Sequence, residues 1–191
     1  MTDPEFQLRV LEGAVGELES YLLSSETFWR MSGPADLPNL TLGGLELARR
    51  ALRATIDKLD PAARQRAHTA IEQIDASRRQ RRAAWERKAA GELRVRLNQW
   101  RAYLQDLAEL PGESDRYAQE VRARAMASYL LEESVDQPEA AELRMTLEAL
   151  DARLRASFEG GRFIWDPPLE PAYPAKQYWF LYGRSKLESQ S

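Results

Sequence analysis

The chain has 191 residues, 43% of them apolar and 30% charged, with a net charge of −3. That composition fits one folded domain with a sizeable core and excludes polyanion binding driven by overall charge alone. There is no cysteine and one histidine, His68. Disulfides, thiolate metal sites and cysteine nucleophiles are therefore excluded, and neither a histidine zinc cluster nor a di-iron bundle with two Glu-x-x-His motifs can be built within one chain.

The opening segment MTDPEFQLRV has neither a basic n-region nor an apolar h-region, and no apolar run is long enough to cross a bilayer. A cytoplasmic location without membrane contact is expected. Thr2 and Glu5 fit a capping box, and Asp3–Pro4 fits an N-cap followed by a first-turn proline. Leu11, Val15, Leu18 and Leu22 recur at helical spacing and predict a first amphipathic helix. Gly33, Pro34 and Pro38 mark a loop. Thr41 is the expected N-cap of a second helix whose inner face is Leu45, Ala48, Leu52, Ile56 and Leu59, with Gly43 and Gly44 in its first turn allowing close backbone approach.

Asp60–Pro61 signals another helix start, and no further proline occurs until Pro111. Ala67, Ile71 and Ile74 form one stripe; Leu93, Leu97, Trp100, Leu104 and Leu107 form a second. Between them SRRQRRAAWERKAAGE offers little to bury except Trp85 and some alanines. The pattern predicts one long helical element over 61–110 with a solvated middle, continuous or bent near Gly91. A helix from about Ser114 to Ser134 follows, with Tyr117, Val121, Ala125 and Leu131 inward. Asp136 as N-cap, Pro138 and Glu139 announce the last helix, striped by Leu143, Leu147, Leu150, Leu154 and Phe158, with Gly160 expected at its left-handed C-cap.

Beyond that point the chain changes character. Residues 163–183, FIWDPPLEPAYPAKQYWFLYG, hold four prolines and seven aromatic residues. Proline denies them a helix, and so many rings are costly to leave in water. The expected architecture is therefore an all-α bundle of about five helices (1–159), including one long element, with an ordered, non-helical C-terminal arm (160–191). RFIW and QYWFLY are rich in β-formers and are expected to pair as a ribbon. The expected arm anchors are Phe163, Ile164, Trp165, Tyr173, Tyr178, Trp179 and Phe180, seated on the chain's own helices, on a second copy, or around a ligand.

Charge is segmental: net −5 over 1–41, +8 over 42–101, −7 over 102–159 and +1 over 160–191. Arg78, Arg79, Arg81, Arg82, Arg87 and Lys88 are candidates for phosphate contact. The near balance of the second and third segments favours the alternative, pairing with the chain's own acids. Trp85, set among these arginines, is the expected subunit contact. No dinucleotide fingerprint, P-loop, nucleophile elbow or zincin motif is present. No cofactor or metal is expected, and His68 is expected to be structural or exposed. The leading functional expectation is a non-enzymatic assembly or adaptor protein, a homodimer acting through helix faces and the arm. Behind it come polyanion or nucleic-acid binding by the basic segment, and small-molecule binding or catalysis in a pocket between bundle and arm.

Overall fold

A computed structural model describes residues 2–109 and 116–185. Among these, six α-helices account for most of the chain: α1 (Pro4–Leu23), α2 (Leu42–Thr55), α3 (Pro61–Gln80), α4 (Arg82–Glu109), α5 (Tyr117–Glu133) and α6 (Ala140–Arg155). A two-stranded antiparallel ribbon, β1 (Phe158–Phe163) and β2 (Tyr182–Ser185), follows. The architecture is thus a helical bundle with a small sheet and a non-helical C-terminal segment.

The helix starts obey local chemistry. Asp3 caps α1 by accepting from the Glu5 amide, Thr41 caps α2 through the Gly44 amide, and Asp60 caps α3 through the Ala63 amide. Thr2 does not serve in the expected capping box; its hydroxyl donates instead to Asp166 of the arm. The predicted stripes are buried almost throughout: Leu11, Leu18 and Leu22 on α1, Ala67, Ile71 and Ile74 on α3, Leu93 to Leu107 on α4, and Leu143 to Leu154 on α6.

Three local expectations are corrected. First, the 61–110 element breaks at Arg81 (φ −117°, ψ 33°), ten residues before Gly91. Gly91 lies inside α4, and a Cβ there would meet nothing. The turn-to-turn bonds Arg81 N–H to Ser77 and Trp85 N–H to Arg81 persist at 2.9 Å, so α3 bends into α4. A straight rod could not lay the α3 stripe on α1 and the α4 stripe on α5 and α6, which is how these helices pack. The middle is largely exposed or half-exposed, as expected, with Trp85, Ala89, Ala90 and Glu92 its buried residues. Second, α6 begins at Ala140 rather than at an Asp136 cap. The Asp136 and Glu139 carboxylates are taken by Arg82 and Arg94 of α4, so the segment before α6 stays in turns. Third, α6 stops at Arg155, and Gly160 lies in β1 instead of capping the helix. The expected boundary at 159/160 therefore falls inside a strand.

The ribbon forms, shifted towards its ends: Phe158 pairs with Ser185, Gly160 with Gly183, and Phe163 with Tyr182 across an irregularity. Gly183 has φ +145°, and a Cβ there would sit 2.1 Å from the Glu159 carbonyl oxygen. Only glycine lets the strands approach this closely.

α2 is the hub, touching α1, α4, α5 and the arm's 3₁₀ turn at Pro167–Ala172. Its first turn is set by buried charge. Glu92 of α4, fully buried, accepts from the Gly43 amide at 3.1 Å and from Arg96 at 3.0 Å, while Arg96 also reaches Thr41. A carboxylate at a helix N-terminus is stabilised by the free amides and the helix dipole. A Cβ on Gly43 would lie 2.8 Å from Met126 Cβ and 2.9 Å from the Glu92 carboxylate. What comes close at this glycine is therefore side chains, Met126 of α5 and Glu92 of α4, where the expectation was another backbone.

Candidate functional site

The arm lies across its own bundle. Tyr173, Tyr178 and Phe180 are buried, and Phe163, Ile164, Trp165 and Trp179 are half-buried against the core. Sequence reasoning missed Leu181, which is fully buried. The rings form a continuous chain of contacts: Phe163, Trp165 and Tyr173 lie 5.1–6.4 Å apart centroid to centroid, and Tyr173 meets Tyr178 edge-on at 5.1 Å. Such geometries add to simple area burial.

Bundle side chains fasten the arm by its backbone and its rings. Tyr117 donates to the Phe180 carbonyl at 2.7 Å, Trp165 Nε1 donates to the Ala118 carbonyl at 2.8 Å, and Arg50 donates to the Ala172 carbonyl at 3.1 Å. The Arg50 guanidinium stands 5.4 and 5.3 Å from the Tyr173 and Tyr178 rings, and Arg124 stands 4.4 Å from Phe180. Each cation is held by a carboxylate: Arg50 by Glu46 at 2.7 Å, and Arg124 by a bidentate pair with Asp151 at 2.6 and 2.7 Å. Burial pushes the Tyr173 and Tyr117 phenols well above the ordinary tyrosine range, so both stay neutral, Tyr173 as a packing ring and Tyr117 as a donor as well.

A cleft of about 520 Å³ opens between this arm and the bundle. One wall is α1 with Phe6 and Val10. The floor is α2, where Ala48 and Ala51 leave room that larger residues would fill. The far wall is the arm, with Ile164, Trp165, Leu169 and Tyr173. The loop between α1 and α2 supplies the rim through Met31 and Asn39. That loop is closed by paired backbone bonds between Trp29 and Leu40 and held to α1 by Glu17, which accepts from Trp29 Nε1 and the Ser32 amide. The Trp29 bond holds the Glu17 carboxyl below the usual range. Thr2 and Asp166, joined at 2.8 Å, close one corner of the cleft.

Arg122 of α5 also lines the cleft, on the ridge that separates it from a shallower depression between α4 and α5. It is exposed, and among the described residues no carboxylate pairs with it. Arg124, two residues on, is buried in its pair with Asp151. The VRAR spacing places the two arginines on opposite sides of the helix, at about 100° per residue. Sequence reasoning named neither. The only signal was that spacing, which does not say which arginine faces in.

The basic segment has a different fate. Arg78 forms a bidentate pair with Glu133 at 2.6 Å, Arg81 pairs with Glu19, and Arg82 bonds Glu86 at 2.5 Å and Asp136 at 2.9 Å. Lys88 donates to the carbonyls of Ser24 and Glu26 at 2.7 and 2.9 Å and sits 4.5 Å from the Tyr21 ring, finishing the C-terminus of α1. Burial pulls the Lys88 ammonium below its ordinary range. Among the described residues, only Arg79 and Arg87 of this group stand exposed without a partner. Trp85, expected at a subunit contact, is 2% exposed and packs inside its own chain, so it has no face to offer a second copy. Its indole N–H faces Glu133 without reaching hydrogen-bond geometry. His68 is exposed on α3.

Among the described residues, no helix is long and apolar enough to cross a membrane, and no three histidine or acidic side chains converge as metal ligands would. No protein-family model, no curated protein and no solved structure matches this chain.

Proposed function

We propose that this chain is a small-molecule binding protein whose site is the cleft between α1, α2 and the arm. One observation carries the reading. The arm is fastened to the bundle at Trp165 and Ala172 and touches α2 through its Pro167–Ala172 turn, yet about 520 Å³ remains between it, α1 and α2, walled mostly by apolar side chains with polar groups at its rim. Small-molecule sites run from about 300 to 1,000 Å³ and combine apolar walls with a few polar anchors. A packed interior would have closed such a space, since cores tolerate few voids.

Assembly through helix faces has less support. Among the described residues, the large exposed apolar side chains, Leu23, Phe28, Val135 and Met145, lie on four separate segments, and the arm's rings are spent on the chain's own core. Polyanion binding has less support as well, because most of the basic segment is already paired within the chain.

The test is methyl NMR of the full chain titrated with decan-1-ol, a neutral apolar probe. Shifts are expected at Val10, Met31, Ile164 and Leu169, with Met145 on α6 unaffected. An Ala48→Phe variant, checked for an unchanged fold by its spectrum, is expected to weaken binding by blocking the floor. Shifts spread over the surface, or binding unaltered in Ala48→Phe, would sink the reading.

A further inference from the structure

The polar groups around the cleft are not equivalent. Asp166 already accepts from Thr2, and Thr41 is committed to the Gly44 amide and to Arg96. Glu46 and Arg50 lie behind the arm and neutralise each other. Beside the neutral amides of Gln7 and Asn39, that leaves Arg122, a guanidinium with no carboxylate partner among the described residues, next to walls built from Phe6, Ile164, Leu169 and Tyr173. An arginine beside an apolar cavity offers a planar set of donors that matches a carboxylate or phosphate and stays charged at every working pH.

We infer that the ligand is an amphiphile with one acidic head group, held by Arg122, and an apolar body lying along the cleft. The inference rests on the cleft being a ligand site, and it adds the sign of the head group and its anchor. The arm contributes through Tyr173: its neutral ring forms wall rather than a competing charge, and the cleft's acidic residue, Asp166, is turned to Thr2. An amine-headed ligand would meet Arg122 unfavourably, and a neutral one would leave it as it is in the free protein.

The experiment is isothermal titration of the full chain with four probes sharing one tail: decanoate, decyl phosphate, decan-1-ol and decylammonium. At least one acid is expected to bind about fivefold or more tighter than the alcohol, as an ion pair at an exposed site allows. Decylammonium is expected to bind weakest. Decanoate against decyl phosphate tells which acid the site prefers. Arg122→Gln is expected to bring the acid down to the affinity the alcohol shows for the wild type, and Arg122→Lys to keep part of the preference. If acids and alcohol bind equally and Arg122→Gln changes neither, the head-group inference is wrong while the cleft reading stands. If the amine binds best, the inference is likewise wrong. If none of the four binds, or if Ala48→Phe leaves acid binding untouched, the cleft reading itself fails.

Discussion

The bend at 78–88 and the arm at 158–185 are the two parts of this chain whose composition stands out, and they resolve their excess in opposite ways. The bend carries surplus cations and satisfies them at the surface, with carboxylates from α1, from the end of α5 and from the turn before α6. The arm carries surplus rings and satisfies them inside, with cations drawn from α2 and α5. Exposed ion pairs contribute little because water competes for both partners, at about 0–1 kcal/mol each. Buried rings contribute far more, about 1.5–3 kcal/mol for a fully buried large side chain before any ring geometry is counted. Stability should therefore reside at the arm, and the bend should chiefly orient helices.

Removing the arm altogether is the strongest attempt to break that contrast. A chain ending at Gly161 is expected to lose cooperative unfolding, since Tyr117 and Arg124, both seated against Phe180, would be opened to water together; circular dichroism melting checks it. Phe180→Ala, at a fully buried ring, is expected to cost about 3–5 kcal/mol in urea unfolding. Asp151→Asn is expected to cost a similar ~3–5 kcal/mol, because it leaves Arg124 charged and buried beneath Phe180. Gly43→Ala is expected to cost about 1–3 kcal/mol by forcing Met126 and Glu92 apart. Asp136→Asn at the bend, which removes the exposed partner of Arg82, should cost less than any of these, and a double-mutant cycle with Arg82→Gln should return a coupling no larger. An arm variant milder than the bend variant would reverse the comparison.

Acid sharpens the contrast further. The Glu17 carboxyl is held below its usual range in the folded chain. Its contribution is therefore present above the unfolded value, near 4.5, and is lost as pH falls through the folded one. Melting temperature should fall less steeply below about pH 4.5 in Glu17→Gln than in the wild type. The effect should be small and confined to the loop at the cleft rim, leaving the arm's acid-independent ring packing in place.

Much of this fold was legible in the residue order. Caps at Asp3, Thr41 and Asp60 act on the next few amides, and stripes such as Leu93–Leu97–Trp100–Leu104–Leu107 repeat within one helix, so both can be read locally. The arm's aromatic anchors were legible for the same reason: rings among prolines must be buried somewhere. The misplaced details depended on distant partners. Asp136 looks like a helix cap until Arg82 takes it. Gly91 looks like a hinge until packing on α1, α5 and α6 puts the bend at Arg81. Trp85 looks like an interface residue until its own chain closes over it. The cleft was the least legible feature, because a cavity is what five separate segments leave between them.

The sequence by itself determined that this chain would be helical, where α1, α2 and α3 would begin, which faces the helices would bury, and that its end would be ordered without being helical. Those outcomes follow from periodicity, capping and proline, which operate within a few residues. Only the tertiary structure decided that the arm would lie on its own bundle, that Arg124 would be sealed while Arg122 stayed open, and that a space would remain between α2 and the arm. Those depend on which surfaces meet between segments from 27 residues apart, as Arg124 and Asp151, to 122 apart, as Arg50 and Ala172, and no local pattern encodes that meeting.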